Sequence, residues 1–541
     1  MVDNDETIKL TILYTSDIHG SIYPINYANN ETVEWGLSKI ATKVKMERAE
    51  DPDLLLIDNG DLIQGSPLTY HYGQFLQDKE HPMVRLLNHL SYDAAIIGNH
   101  EFNYGLDLLN QAVNESNFPW LSANTIDSIS GKPYFGRPYI IKEIKSVKVA
   151  ILGITTHYIP NWEKPENIQG IEFKNTLQET KKWASYLKEK EKPDVLIVSY
   201  HGGFERDLET GEPTEVLTGE NQGFAICQEV EGIDVLLTGH QHRELTGKIN
   251  GVEVIQPSFK GQALGKITVS LNKQKEILEK NSELLWMDEV EVDTEILKLT
   301  LKYEDETQKW LDTPIGFIEG DMRITDPLRI RTQDHPLIEF INKVQMDVAG
   351  VEISNTALFD NTSLGFGNQV TMRDIVSNYI YPNTLTVLRL SGHDIKAALE
   401  QSASYFTIDQ AGELAINPSF IQPKPQHYNY DMWEGIEYIL DITKPIGLRV
   451  TKLYFKGKPL NLDSMFDVVM NNYRACGGGD YMMFKDKLVV KDIPMDMTEL
   501  IANYIRKRKT IQATANHNWN VIWKKDLVTL GNSYGISKQE E

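Results

Sequence analysis

Five short apolar runs punctuate the first half of the chain, and each stops at polar residues with a glycine close by. Ile8–Thr15 is rich in β-formers and ends at Ser16-Asp17-Ile18-His19-Gly20. Residues 54–57 lead into Asp58-Asn59-Gly60-Asp61, and 94–97 into Gly98-Asn99-His100-Glu101. Residues 195–198 precede Ser199-Tyr200-His201-Gly202-Gly203, and 235–237 precede Thr238-Gly239-His240-Gln241-His242. Runs this short and continuous predict strands buried on both faces. Amphipathic stretches of helix length lie between them, at 35–48, 82–90 and 177–190. Strand–helix alternation predicts a layered α/β domain whose ligands gather beyond the strand ends.

After about Leu271 this rhythm is lost. Residues 293–311 are helix-like and strongly charged, and Thr313-Pro314 closes them, because the residue before proline disfavours helix. The stretch lacks the Gly, Ser or Pro enrichment of a flexible linker and predicts a connecting helix. Beyond it, strand-like runs at 384–390 and 447–455 mix with a helix at 394–405 that Ser391-Gly392-His393-Asp394 would cap. The expected organisation is an α/β domain over 1–292, a connecting helix at 293–312, a smaller α+β domain over 313–525 and a tail at 526–541.

Composition narrows the class. A chain of 541 residues exceeds one ordinary core, and 41% hydrophobic with 24% charged residues is typical of globular proteins. The net charge of −23 argues against binding long nucleic acid through its phosphates. A small anionic substrate stays compatible, since bound cations supply strong local positive charge. Arg506-Lys507-Arg508-Lys509 reads as a solvated helix end. Two distant cysteines, Cys227 and Cys476, give neither a disulfide framework nor a thiolate metal site. No run is long enough to span a membrane, and the acidic N-terminus lacks a secretory pattern. The expectation is a cytoplasmic protein, or an exported one whose signal has been removed, with no membrane or protein partner.

The chemistry lies in the five polar stops. One histidine after a strand is usually a satisfied loop residue, but five stops of metal-ligand type in one domain predict a metal cluster used for hydrolysis. Asp, His and Asn ligands without cysteine favour Mn, Zn, Fe(II) or Co. Seven candidates exceed the three protein ligands of a catalytic zinc. They suit two divalent ions roughly 3.5–4 Å apart that share one carboxylate, for which Asp61 is the best candidate.

With these residues in hand, the first half resembles the calcineurin-like metallophosphoesterases, on Leu13-Tyr14-Thr15-Ser16-Asp17-Ile18-His19-Gly20 and Gly98-Asn99-His100-Glu101-Phe102. Residues 8–525 resemble their two-domain 5′-nucleotidase branch. In the second half, Tyr379-Ile380-Tyr381-Pro382-Asn383-Thr384-Leu385, Leu399-Glu400-Gln401-Ser402-Ala403, Tyr428-Asn429-Tyr430-Asp431 and Asn471-Asn472-Tyr473-Arg474-Ala475 are more similar to the 2′,3′-cyclic-nucleotide 2′-phosphodiesterase/3′-nucleotidases. The resemblance implies a four-layer αββα domain followed by a smaller α+β domain that binds the nucleoside and swings it against the metals.

It also implies one metal on Asp17, His19, Asp61 and His242, and a second on Asp61, Asn99, His201 and His240. Asn99, His100 and Asn103 form the implied catalytic set. His100 would face the reacting phosphorus and stabilise developing charge. Many 5′-nucleotidases carry Asp three residues after this histidine, where this chain has Asn103, so His100 should be the weaker base. They also place an arginine early in the second domain, where residues 354–361 offer none to grip a 5′-phosphate. The missing arginine further favours cyclic and 3′-nucleotides as substrates. A 5′-nucleotidase or nucleotide-sugar hydrolase is the alternative, and a non-catalytic nucleotide-binding module the alternative of another class.

For the base, stacking on aromatic rings is worth about 1–3 kcal/mol. The candidates are Tyr428, Tyr430, Trp433 and above all Tyr473, which precedes the loop Arg474-Ala475-Cys476-Gly477-Gly478-Gly479-Asp480. Asp480 is a candidate for a base or ribose edge, and Arg474 and Arg373 for phosphate or ribose.

Overall fold

A computed structural model describes residues 7–524 apart from positions 216, 380, 382, 423 and 494. The expected tail, like Ile380 and Pro382 of the second-half blocks, lies outside the described residues. The chain divides into two compact units, Met1–Gln308 and Lys309–Glu541.

The first unit is built on two six-stranded sheets. One runs, edge to edge, Ile277–Trp286, Ala263–Leu271, Ile8–Thr15, Leu55–Asp58, Ala94–Ile96 and Trp120–Leu121. The other runs Glu244–Ile249, Val252–Pro257, Val235–Thr238, Val195–His201, Val147–Thr155 and Tyr139–Ile144. The centre of each sheet is parallel, and antiparallel strands complete it at the margins.

Strand Val195–His201 shows why its run is apolar throughout. Val195 and Ile197 join Ile12, Ile57 and Ile96 of the other sheet in one core. Leu196 and Val198 point the opposite way, into a second core with Leu177 and Ala184 of helix Thr176–Tyr186 and Ile226 of helix Gly223–Glu229. With side chains alternating by period two, a strand covered on both faces must be apolar at every position. Helices Leu37–Glu50, Pro67–Phe75, Pro82–His89 and Gly105–Glu115 alternate with the strands of the first sheet.

The charged stretch beyond the second sheet forms helix Thr294–Leu311. Its face toward the first unit is fixed by side chains. Tyr23 donates to the Leu297 carbonyl at 3.0 Å, Tyr27 donates to Glu304 at 2.6 Å, and Lys45 pairs with Asp293 at 2.6 Å.

The second unit is α+β. Its largest sheet runs Asp431–Glu434, Ile353–Ala357, Met465–Asn471, Leu385–Ser391 and Leu488–Ile493. Helix Pro336–Ala349 packs on it. Helix Gly392–Ala403 starts at the expected cap, where Ser391 accepts from the Asp394 N–H and Asp394 returns a bond to the Ser391 backbone. Helix Met497–Arg508 ends in exposed Arg506, Lys507 and Arg508, the solvated basic end that the sequence predicts.

Candidate metal centre

The site forms where loops leave the parallel strands of both sheets, and the backbone ties those loops together before any side chain is considered. Asp17 N–H donates to the Gly60 carbonyl at 2.9 Å and His19 N–H to the Asp61 carbonyl at 2.8 Å. His240 N–H, from the other sheet, donates to both carboxylate oxygens of Asp17 at 3.0 Å. Glu101 is buried beneath and accepts from the N–H groups of Asp61, Leu62, Ile63 and Gly98 at 2.6–3.3 Å. Its carboxylate holds the Asp61 turn, a function the sequence reading did not assign to it.

Glycine acts here mainly by making room. Sharp turns fall on polar residues as well as on Gly20 and Gly60: Asp17, His19, Asp61, His240 and His242 have φ between 50° and 68°. That left-handed region is costly for residues with a Cβ and is tolerated where the surroundings over-determine it. A Cβ on Gly239 would lie 2.1 Å from Ser16 Oγ and 2.6 Å from Asp17 Oδ2, so only glycine lets the two loops approach this closely.

The imidazoles are oriented by acceptors behind them. His19 Nδ1 lies 2.9 Å from the Gln64 carbonyl and His201 Nδ1 2.7 Å from the Asn59 carbonyl. Each therefore carries its proton on Nδ1 and turns Nε2 inward. His240 is reversed: Nε2 lies 3.0 Å from Glu220 Oε1, which leaves Nδ1 inward, 2.8 Å from Asn99 Oδ1. Trp162 stacks on His240, and Phe259 on His242. Glu220, Trp162 and Phe259 escaped the sequence reading, since each lies in a loop without a recognisable spacing.

The inward atoms form two groups, Asp17 with His19 and His242, and Asp61 with His201 and His240; within each, the ligand atoms lie within 4.8 Å of one another. Asp61 Oδ2 sits 3.2 Å from His201 Nε2 and 3.9 Å from His19 Nε2, so it faces both groups. Asn99 Oδ1 is 3.1 Å from His201 Nε2. His19 Nε2 and His242 Nε2 approach to 3.0 Å, and His19 has only a lone pair to offer there. Converging lone pairs on carboxylates, imidazoles and an amide oxygen, with His19, His201 and His240 each oriented by an acceptor behind the ring, suit divalent cations.

Electrostatics agree. Burial works to raise Asp17 and Asp61, but the surrounding histidines hold both carboxyls below the usual range. Burial pushes His19 down to about 3 despite Asp61. His201 goes the other way, to about 10, because Asp61 outweighs burial. Without a cation, a proton on His201 is what balances Asp61, so metal uptake must displace protons.

His100 stands at the rim. Its Nε2 is 4.0 Å from Asp61 Oδ2, its backbone N–H donates to Asp61 Oδ1 at 2.8 Å, and its Nδ1 is 2.7 Å from Asn103 Oδ1.

In the second unit Tyr428, Tyr473, Arg474 and Asp480 come to one place. Arg474 does not offer its charge to a ligand. It is buried, its Nε lies 2.8 Å from Asp431 Oδ2, and it donates to the carbonyls of Tyr428 and Gly478. It therefore ties the two tyrosine segments together. Tyr428 and Tyr473 are half-buried and Asp480 is exposed. A Cβ on Gly478 would meet the Tyr473 ring at 2.6 Å. Two expected aromatic candidates are core residues instead: Tyr430 is buried and donates to the Arg331 carbonyl, and Trp433 is buried against Phe484. Arg373 pairs with Asp312 at 2.6 Å. Arg331, near residues 354–361, is buried and donates to the Leu358 carbonyl and Asn361 Oδ1.

Comparison with known proteins places the chain in a family. The calcineurin-like phosphoesterase family model matches residues 10–244, and the 5′-nucleotidase C-terminal domain model matches 314–486. The chain belongs to the two-domain 5′-nucleotidase family of calcineurin-like phosphoesterases and is a metal-dependent phosphoester hydrolase. A crystal structure of a candidate 5′-nucleotidase from Staphylococcus aureus is 33% identical, with a TM-score of 0.88, covering 95% of this chain and all of that one. The 2′,3′-cyclic-nucleotide 2′-phosphodiesterase/3′-nucleotidase of Salmonella typhimurium is 28% identical over 96% of this chain and 89% of its own length. The trifunctional nucleotide phosphoesterase protein YfkN of Bacillus subtilis is 29% identical over 95% of this chain, which spans 39% of that protein. Among the described residues, no helix is long and apolar enough to cross a membrane.

Proposed function

We propose that this protein hydrolyses 2′,3′-cyclic nucleotides and 3′-nucleotides, releasing nucleoside and phosphate. The observation that carries the reading is the convergence of inward-facing ligand atoms around Asp61 with His100 beside them. Asp17, His19, Asp61 and His242 would hold one divalent ion, and Asp61, Asn99, His201 and His240 a second. Mn, Zn, Fe and Co all suit this donor set. Bound there, such ions lower the pKa of water and neutralise phosphoryl oxygens. His100 directs Nε2 at the reacting group and stabilises charge as the ribose oxygen leaves. Tyr473 and Tyr428 give the base its apolar faces, and Asp480 accepts from a base or ribose edge.

The cyclic and 3′ preference is supported by Arg331, the arginine beside residues 354–361, being buried with both terminal nitrogens directed at backbone carbonyls and Asn361. The S. aureus relative keeps a 5′-nucleotidase as the competing reading. Phosphate release from 2′,3′-cyclic AMP, 3′-AMP and 5′-AMP with Mn present separates them. The first two should be preferred, and His100→Ala should lower that activity about 10²–10³-fold. Preference for 5′-AMP would overturn the specificity and leave the metal assignment standing.

A further inference from the structure

We propose that Glu163 is the positioning residue that sets the tautomer of His100, acting through the Asn103 amide. The proposal rests on the reading of His100 given above. Asn103 Nδ2 lies 2.6 Å from Glu163 Oε2, and Asn103 Oδ1 lies 2.7 Å from His100 Nδ1. An amide has one donor end and one acceptor end of nearly the same shape, so packing alone does not choose between its two orientations. Glu163 makes the choice. Its carboxylate accepts from Asn103 Nδ2, from Asn167 Nδ2 at 2.8 Å and from the Lys164 N–H at 2.8 Å. An acceptor there requires Asn103 to turn its NH2 outward and its oxygen toward His100. His100 must then hold its proton on Nδ1, which leaves Nε2, facing Asp61 and the metal centre, as the nitrogen that can take up a proton; the imidazolium so formed is what stabilises charge on the leaving oxygen.

The relay is built to keep its geometry. Glu163 is 9% exposed and sits between two short 3-10 turns, Ile159–Asn161 and Pro165–Ile168. Asn167 clamps both ends, donating to Glu163 and to the Asn103 carbonyl at 3.3 Å. Trp162, the residue before Glu163, stacks on His240, so one of two adjacent residues of this loop touches a ligand imidazole and the other reaches His100 through Asn103. Asn103 and Glu163 are also matched in charge. An Asp at 103 would face the Glu163 carboxylate at hydrogen-bond distance, whereas the amide passes the influence of a single negative charge inward.

The test uses zinc-loaded protein with selectively 15N-labelled histidine, the His100 signals being those lost in His100→Ala. In Glu163→Gln the new amide keeps its oxygen toward Lys164 and Asn167 and turns its NH2 to Asn103. Asn103 then flips, and the His100 proton moves from Nδ1 to Nε2. The expected kinetic result is a kcat about tenfold to a hundredfold lower, the usual cost of losing a partner behind a functional imidazole, with KM and metal content unchanged. Asn103→Asp alone should also be impaired. The double variant Asn103→Asp/Glu163→Gln presents one carboxylate directly to Nδ1 with an NH2 behind it, and should restore both the nitrogen signal and kcat. An Nδ1–H tautomer that persists in Glu163→Gln overturns the proposal, as does failure of the double variant to recover. If His100→Ala itself leaves kcat unchanged, the role given to His100 falls, while the nitrogen signals still decide whether Glu163 sets its tautomer.

Discussion

At the scale of single residues, five of the polar residues at this centre hold backbone angles that their side chains disfavour. Such conformations persist only where many contacts fix them, so the centre should tolerate little change in its immediate packing. Gly239→Ala pushes a methyl group into Ser16 and Asp17. It should destabilise the protein by about 1–3 kcal/mol and weaken metal retention, both measurable by denaturant titration and metal analysis; a neutral result would remove the close-approach argument. Replacing His100 with alanine should lower kcat by about 10²–10³-fold without loss of bound metal, because His100 stands outside the two ligand groups. Metal loss in that variant would make it a ligand.

The seven proposed ligands were legible because each closes an apolar run beside a glycine. The residues behind them and behind His100 were not. Glu220, which backs His240, and Glu163, which bonds Asn103 beside His100, lie 20 and 60 positions from their partners, in loops with no periodicity to reveal them. Tyr430 and Trp433 misled for the converse reason, since an aromatic residue reads alike whether it lines a pocket or fills a core.

At the scale of elements, the apolar runs predicted the central strands closely, and Ser391 marked the cap of a helix that runs over Gly392–Ala403, two residues earlier at each end than the expected 394–405. Periodicity did not reveal which strands share a sheet. Runs 94–97 and 195–198 look alike, yet they belong to different sheets that meet through a common core. Pairing is a non-local choice, settled by how helices and hairpins cover each face. The segment from Tyr473 to Asp480 is the element on which substrate grip is expected to depend. Tyr473→Ala should cost about 1–3 kcal/mol of binding, read as a rise in KM of roughly five- to hundredfold with kcat little changed. A fall in kcat alone would assign the ring to support of the loop.

At the scale of the whole molecule, the second unit carries a charge cluster with a pH-dependent consequence. Asp334, Glu339 and Glu434 are buried with carboxylate oxygens within 4.8 Å of one another. Asn516 donates to Glu434 and Glu339, His517 N–H donates to Asp334, and Lys343 pairs with Glu339. Burial, reinforced by Asp334 and Glu339, pushes Glu434 from 4.5 up to about 7. Between those values the folded protein binds more protons than the unfolded chain, so stability falls as pH rises through the window. Glu434→Gln keeps the acceptor for Asn516 and removes the charge. It should exceed wild type by up to about 3 kcal/mol at pH 8 and differ little at pH 4. Equal urea midpoints at pH 8 would sink this account.

The first metal group has a consequence for how the protein is made. His19 and His242, whose ring nitrogens touch, stand 223 positions apart. No fragment synthesised short of the last polar stop can assemble either group, because His240 and His242 arrive together at its end. Cation capture therefore comes late: neither group is complete until residue 242 has been made, when most strands of both sheets have already been synthesised.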